Sequence, residues 1–291
     1  MRPADVLRLA TLAALWGASF LFLRIVAPVL GPLFLSEARL VIAAAALLGW
    51  AWLTGGQVRF AGRWRPYLVI GAINSAAPFA LYAYAAVHLP ASYSAVLNAT
   101  TPVFGAVFAA SWLNDRLTLR RVTGALAGMA GVALLVGFGP VEVDANVVFA
   151  ALAAIGGACC YALAAVYTRR SAAGIEPFAL AAGSQVGAAL ILSPGLAAWP
   201  GMESFGPGIV ASVLALAVAC TALAYLIYFR LIADVGPARA LTVTLLIPAF
   251  GVLWGVVFLG EVLTPSMLAG AALVIGATWL VVGETSVQGP G

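Results

Sequence analysis

The sequence predicts an all-α membrane protein of ten transmembrane helices, arranged as two inverted five-helix repeats. Three observations carry that expectation. Of 291 residues, 64% are hydrophobic and 8% charged, with a mean hydropathy of +1.09. Soluble domains carry about 25% charged residues, so burying this much apolar surface requires lipid. The apolar residues fall into runs near the roughly 20 residues that a helix needs to cross a bilayer. Finally, residues 82–137, shifted by 146, lie on residues 228–283 without a gap.

Ten runs follow one another, at 4–27, 32–53, 66–88, 92–113, 119–139, 146–168, 176–198, 207–230, 237–259 and 265–283. Turn-forming residues separate them, among them Gly31-Pro32, Gly55-Gly56, Pro90, Gly139-Pro140, Gly206-Pro207 and Gly236-Pro237. The first run is too long for a removed signal peptide and has no small-residue cleavage site, so it is expected to stay as the first helix. Thr118 and Thr264 precede the fifth and tenth runs and read as N-caps, with Pro265 at the first helical position. Asp115 and Glu261 are expected to shape the loops before them.

Charge placement supports the count. All 14 basic residues are arginine, and ten spans put 12 of them on the side that holds both termini. Arg24 and Arg39 lie near the outer ends of the first two helices. This segregation makes both termini cytoplasmic. The net charge of +4 does not indicate a nucleic-acid partner, because the arginines sit at membrane edges and form no stripe. Cys159, Cys160 and Cys220 all fall inside apolar runs, so no disulfide framework, metal site or cofactor is expected.

The repeat has 12 identities in 56 paired positions, clustered where they matter. Tyr82 falls on Tyr228, and Pro102, Phe104 and Gly105 fall on Pro248, Phe250 and Gly251. Leu113, Leu117 and Thr118 fall on Leu259, Leu263 and Thr264, with Asp115 on Glu261. Five helices per half force the second copy to enter the membrane inverted. Residues 1–140 and 141–284 are the expected halves, and 285–291 a tail. Inverted halves enclosing a midplane site are the pattern of a carrier that opens to either side in turn.

Polar and aromatic groups at mid-membrane depth are costly in lipid and mark candidate cavity residues. The third helix offers Asn74, Ser75, Phe79 and Tyr82, whose repeat partners are Cys220, Thr221, Tyr225 and Tyr228. Phe79 and Tyr82 share a helix face, as do Tyr225 and Tyr228. Asn98 maps onto Thr244, and each precedes a proline, Pro102 or Pro248, by four residues. Proline frees the carbonyl four residues earlier, which makes both positions candidate substrate contacts and hinges. Thr101 joins this group. Trp16 and Ser19 on the first helix and Tyr161 on the sixth complete the binding candidates, with Gly17 and Gly157 allowing close helix approach. Glu37, Arg39 and His88, together with the two prolines, are candidates for coupling or gating. Glu37 is a proton-coupling candidate; Arg39 either snorkels to the interface, holds a substrate carboxylate or pairs with a group on another helix.

The L-x3-L-T segments followed by spaced glycines, the G-E-V-L-T of 260–264 and the two five-helix halves resemble EamA-type transporters of the drug/metabolite transporter superfamily. The resemblance spans nearly the whole chain, and aromatic-amino-acid exporters are the most similar group in length and aromatic content. It implies a secondary transporter of the bacterial inner membrane that exports amino acids, aromatic ones included, or related small metabolites. The expected partners are a small-molecule substrate and the bilayer, and the expected working form is a monomer. A proton-coupled pump for drugs or organic cations is the alternative. Small multidrug transporters of the superfamily depend on a mid-helix-one carboxylate, and Thr11 to Leu23 here contain none. An intramembrane hydrolase built on Ser19 and His88 is the remote alternative; an enzyme is not expected.

Overall fold

The computed structural model describes residues 2–112, 118–137, 142–172, 174–199, 201, 205–235, 240 and 242–285. No strand occurs among them. Ten rods follow in order: α1 (Pro3–Leu30), α2 (Pro32–Thr54), α3 (Trp64–His88), α4 (Ala91–Trp112), α5 (Leu119–Gly137), α6 (Ala145–Ser171), α7 (Pro177–Ala198), α8 (Pro207–Val235), α9 (Val243–Leu259) and α10 (Pro265–Thr285). Among the described residues, seven of these are long and apolar enough to cross a membrane. The other three, α5, α9 and α10, hold shorter apolar stretches at Val122–Leu135, Val243–Leu259 and Pro265–Ala277.

The helix boundaries follow local chemistry. Gly31, at φ +75°, turns the chain sharply between α1 and α2, and Pro32 occupies the first turn of α2, where no N–H is needed. Asp144 caps α6 by accepting from Val147 N–H at 2.8 Å, which holds its carboxyl below the usual carboxylate range. Glu176 caps α7 through Phe178 and Ala179. Thr264 caps α10, its Oγ1 accepting from Met267 N–H at 3.2 Å. Asp115 lies outside the described residues.

α4, α7 and α8 depart from the regular runs that the sequence outlines. The last turns of α7 are a 3₁₀ segment, Ser193–Ala198, begun by Ser193-Pro194. α8 continues to Val235, past the apolar run, and carries the Arg230–Asp234 pair one turn apart at 3.0 Å. α4 breaks at Ala99 and Thr100, so Pro102 opens the second segment, Thr101–Trp112. Pro248, its repeat partner, sits inside the continuous α9. The two prolines are therefore not equivalent hinges.

Small residues set the packing distances. A Cβ on Gly17 of α1 would lie 2.7 Å from Phe250 Cβ and 2.9 Å from Gly251 N of α9. One on Gly157 of α6 would lie 2.6 Å from the ring of Tyr82. α5 and α10 meet through Gly131 and Gly270, where each added Cβ would lie 2.8 Å from the other glycine's carbonyl oxygen. Such contacts are how membrane helices gain van der Waals energy without a hydrophobic driving force.

Charges tie both ends of the bundle. Where α1 begins, Arg8 bonds Asp234 of α8 at 2.7 Å and Asp5 at 3.2 Å. Beneath this network Leu12, Ala13, Leu231 and Val243 form an apolar plug. Arg8 is about a third exposed, so Asp234→Asn is expected to lower stability by no more than about 1 kcal/mol. Melting temperatures at low and at high salt check this: the difference should shrink with salt.

At the opposite end, Arg24 of α1 donates to the carbonyls of Ala86 and Val87 at 2.8 and 2.7 Å, closing the last turn of α3. Glu261, in the loop after α9, accepts from the N–H groups of Ala91 and Ser92 at 2.6 and 3.0 Å and from the Ser92 hydroxyl. It thereby caps α4, whose own N-cap residue, Pro90, offers no side-chain acceptor. Glu261 reaches this position by folding back over Gly255, through the left-handed Gly260 at φ +65°.

Candidate functional site

The site begins with an irregularity in two helices. α3 is π-helical over Ala72–Ala76 and α8 over Ala215–Leu223. Ala77 N–H reaches Ala72 O, and Ala224 N–H reaches Ala219 O, each spanning five residues. The 146-residue offset carries 72–76 onto 218–222, so the wide turns occupy repeat-equivalent positions. A π-turn leaves carbonyls with spare capacity and redirects side chains, and such turns recur at functional sites. Thr221 uses that capacity, donating to Leu216 O at 2.9 Å.

Around these turns the polar groups converge. Arg39 of α2 is 5% exposed and turned inward rather than snorkelling. Its Nε donates to Thr221 Oγ1 at 2.9 Å, and its guanidinium lies 3.6 Å over the Phe79 ring. Gln185 of α7 donates to Ser75 Oγ at 2.9 Å. Asn74 donates to the Tyr225 hydroxyl at 3.3 Å. Tyr161 and Cys220 are further electrostatic neighbours of Arg39.

Aromatic rings surround this centre. Trp16 meets Tyr225 edge-on at 6.5 Å and Tyr228 at 5.3 Å. Phe20 meets Tyr82 edge-on at 5.5 Å, and Tyr82 stacks on Tyr161 at 6.0 Å. Tyr82 donates its hydroxyl to Asn98 Oδ1 at 3.0 Å, meeting the requirement for a partner in an apolar setting.

The structure thus draws Trp16, Asn74, Phe79, Tyr82, Asn98, Tyr161, Tyr225, Tyr228 and Arg39 together, with Ser19 beside Cys220. Other candidates fall elsewhere. The Asn98 carbonyl freed ahead of Pro102 is taken by the Thr101 hydroxyl at 2.7 Å, so Thr101 completes a helix break. Thr244 stands in the first turn of α9, beside Val243 of the apolar plug against which Trp16 and Tyr228 also pack, with contacts of its own. His88 turns toward Tyr84 at the far end of α3, away from Ser19. Glu37 is 1% exposed but packs near Gly195 of α7, with Oε2 unpartnered. Gln185 and Phe20 are additions from the structure. A lone amide inside the 176–198 run was the available sign for Gln185, whereas nothing set Phe20 apart from its apolar neighbours.

A bundle of long apolar helices closed around a buried polar and aromatic centre is the make-up of a multi-pass membrane protein. The sequence profile of the EamA-like transporter family matches residues 6–137 and 148–283, and the chain belongs to that family. It is 27% identical over 295 residues to the "Uncharacterized transporter YvbV" of Bacillus subtilis, covering 99% of this chain and 94% of that one. It is 28% identical over 271 residues to the "Probable terminal-alkyne amino-acid exporter" of Streptantibioticus cattleyicolor, covering 91% and 89%. A solved crystal structure superposes with a TM-score of 0.66 at 20% identity, over 99% of this chain and all of the other, and shows the shared fold. The family and the two named relatives are transporters, and the hydrolase alternative falls with them.

Proposed function

We propose that the protein exports amino acids, aromatic ones included, or related small metabolites from the cytoplasm of a bacterium by alternating access. In this reading the ten rods are ten spans of the inner membrane, the halves 1–140 and 141–284 are inverted, and both termini are cytoplasmic. The observation that supports it best is the pair of repeat-equivalent π-turns, which face one aromatic-walled centre from opposite halves. A site shared by two like halves binds the same solute whichever half rocks. One relative is named as a probable amino-acid exporter, which fits this solute class. The Arg8–Asp234 network and the Arg24 and Glu261 caps then lie at opposite mouths of the pathway, where breaking and remaking contacts would gate it. Efflux of organic cations fits less well, because Arg39 is the charge that the described residues place at the centre.

The test is counterflow in liposomes. Proteoliposomes preloaded with unlabelled phenylalanine are expected to accumulate labelled phenylalanine transiently and saturably, which a channel does not do. Tyr82→Ala, which removes the stack on Tyr161 and the bond to Asn98, is expected to lower that rate about 10-fold or more. If no amino acid moves, or if Tyr82→Ala and Asn98→Ala leave the rate unchanged, the solute class or the site is wrong.

A further inference from the structure

The centre has one feature that reaches beyond a general solute site: among the described residues its guanidinium has no counter-ion. Among the described residues no carboxylate pairs with Arg39. Its Nε is occupied by Thr221, and the two terminal nitrogens carry the other four of an arginine's five N–H groups. Phe79, Tyr161, Cys220, Thr221 and Tyr225 surround it. Glu37, two positions along α2, sits on another flank near Gly195. An unpaired buried charge is expensive and is rarely kept without use. The terminal edge of a guanidinium matches a carboxylate bidentately.

Taking the centre as the substrate site, as proposed above, we infer that among those solutes it prefers the related small metabolites to the amino acids themselves: organic monoanions, carboxylates with an aromatic or apolar body and no balancing ammonium, with zwitterions carried more weakly. Counting charge gives the order. A monoanion brings the centre from +1 to zero, a zwitterion leaves it at +1, and a cation raises it to +2. In a buried site the neutral pair is favoured, and two like charges are disfavoured. The rings of Trp16, Tyr82, Tyr161 and Tyr225 supply the apolar wall for the body of the solute.

Three probes of nearly one shape separate these cases: 3-phenylpropionate, phenylalanine and phenethylamine. Binding to the full-length purified protein is read by equilibrium dialysis with labelled 3-phenylpropionate and the other two as competitors. The acid is expected to bind about 10-fold or more tightly than the zwitterion, and the amine not to compete. Arg39→Gln is expected to weaken acid binding on the order of 100-fold while leaving the ligand-free melting temperature unchanged or raised, since an uncompensated buried charge is removed. Arg39→Lys is expected to fall between, keeping the charge without the bidentate edge.

The inference is overturned if the amine competes as well as the acid, or if folded Arg39→Gln binds the acid unchanged. A lowered melting temperature in Arg39→Gln with the wild-type order of competitors would make the arginine structural and equally overturn it. The competitor order in the unmutated protein stands independent of any variant. Binding in that order without counterflow would remove the exporter reading alone. Counterflow that favours the amine would remove the charge selectivity alone.

Discussion

Replacing Glu261 with alanine is expected to destabilise the protein by about 2–3 kcal/mol, because two amides and a hydroxyl at the start of α4 lose their only carboxylate. The partners are Ala91 N, Ser92 N and Ser92 Oγ, in a helix entered through a proline with no side-chain acceptor. Apolar surroundings offer little water to replace them. Gly255→Ala should mimic the loss without touching the charge, since its Cβ would occupy the space of Glu261 Oε2. The two substitutions should therefore be strongly non-additive: once Glu261 is alanine, Gly255→Ala adds little. Thermal unfolding of the four proteins of that cycle checks this, and full additivity would show that the glycine and the cap act separately. Glu261→Gln, which keeps one acceptor oxygen, is expected to lie between wild type and Glu261→Ala.

The second large effect is expected at Gly17. Its substitution by valine places a branched side chain where even a Cβ lies 2.9 Å from the Gly251 amide nitrogen. Backbone cannot move aside as a flexible side chain can, so α1 and α9 must separate. Overpacking of this kind costs roughly 1–3 kcal/mol, and here it displaces the helix that carries Trp16, Ser19 and Phe20. Gly49 is the control: nothing lies within 4 Å of a Cβ there, so Gly49→Ala is expected to be neutral or slightly stabilising by helix propensity. Comparable melting temperatures for Gly17→Val and Gly49→Ala would refute the close-packed crossing.

The helices, the repeat and much of the centre were legible in the chain because each leaves a one-dimensional mark. Apolar runs and their glycine and proline punctuation reflect the bilayer thickness. The 146-residue offset by itself pairs Asn74 and Ser75 with Cys220 and Thr221, and those residues lie on the matched π-turns. Tyr82, Tyr161 and Trp16 stood out because aromatic polarity at depth is rare. The inward aim of Arg39 was not legible, since snorkelling and burial are the same sequence. The rotamer depends on Phe79 and Thr221, residues 40 and 182 positions away.

The same limit governed Glu261, Pro102 and Thr101. A glutamate in a short loop predicts a local role, yet this one caps a helix 169 residues earlier, because a glycine-cleared path exists across the bundle. Identical prolines predicted identical kinks, yet one opens a helix segment and the other lies within one. Hydropathy, charge asymmetry and repetition are properties of neighbours along the chain, so they settled the membrane setting and the helical make-up. Which side chain meets which charge is a property of neighbours in space, set by where glycines let helices touch, and no pattern along the chain encodes it.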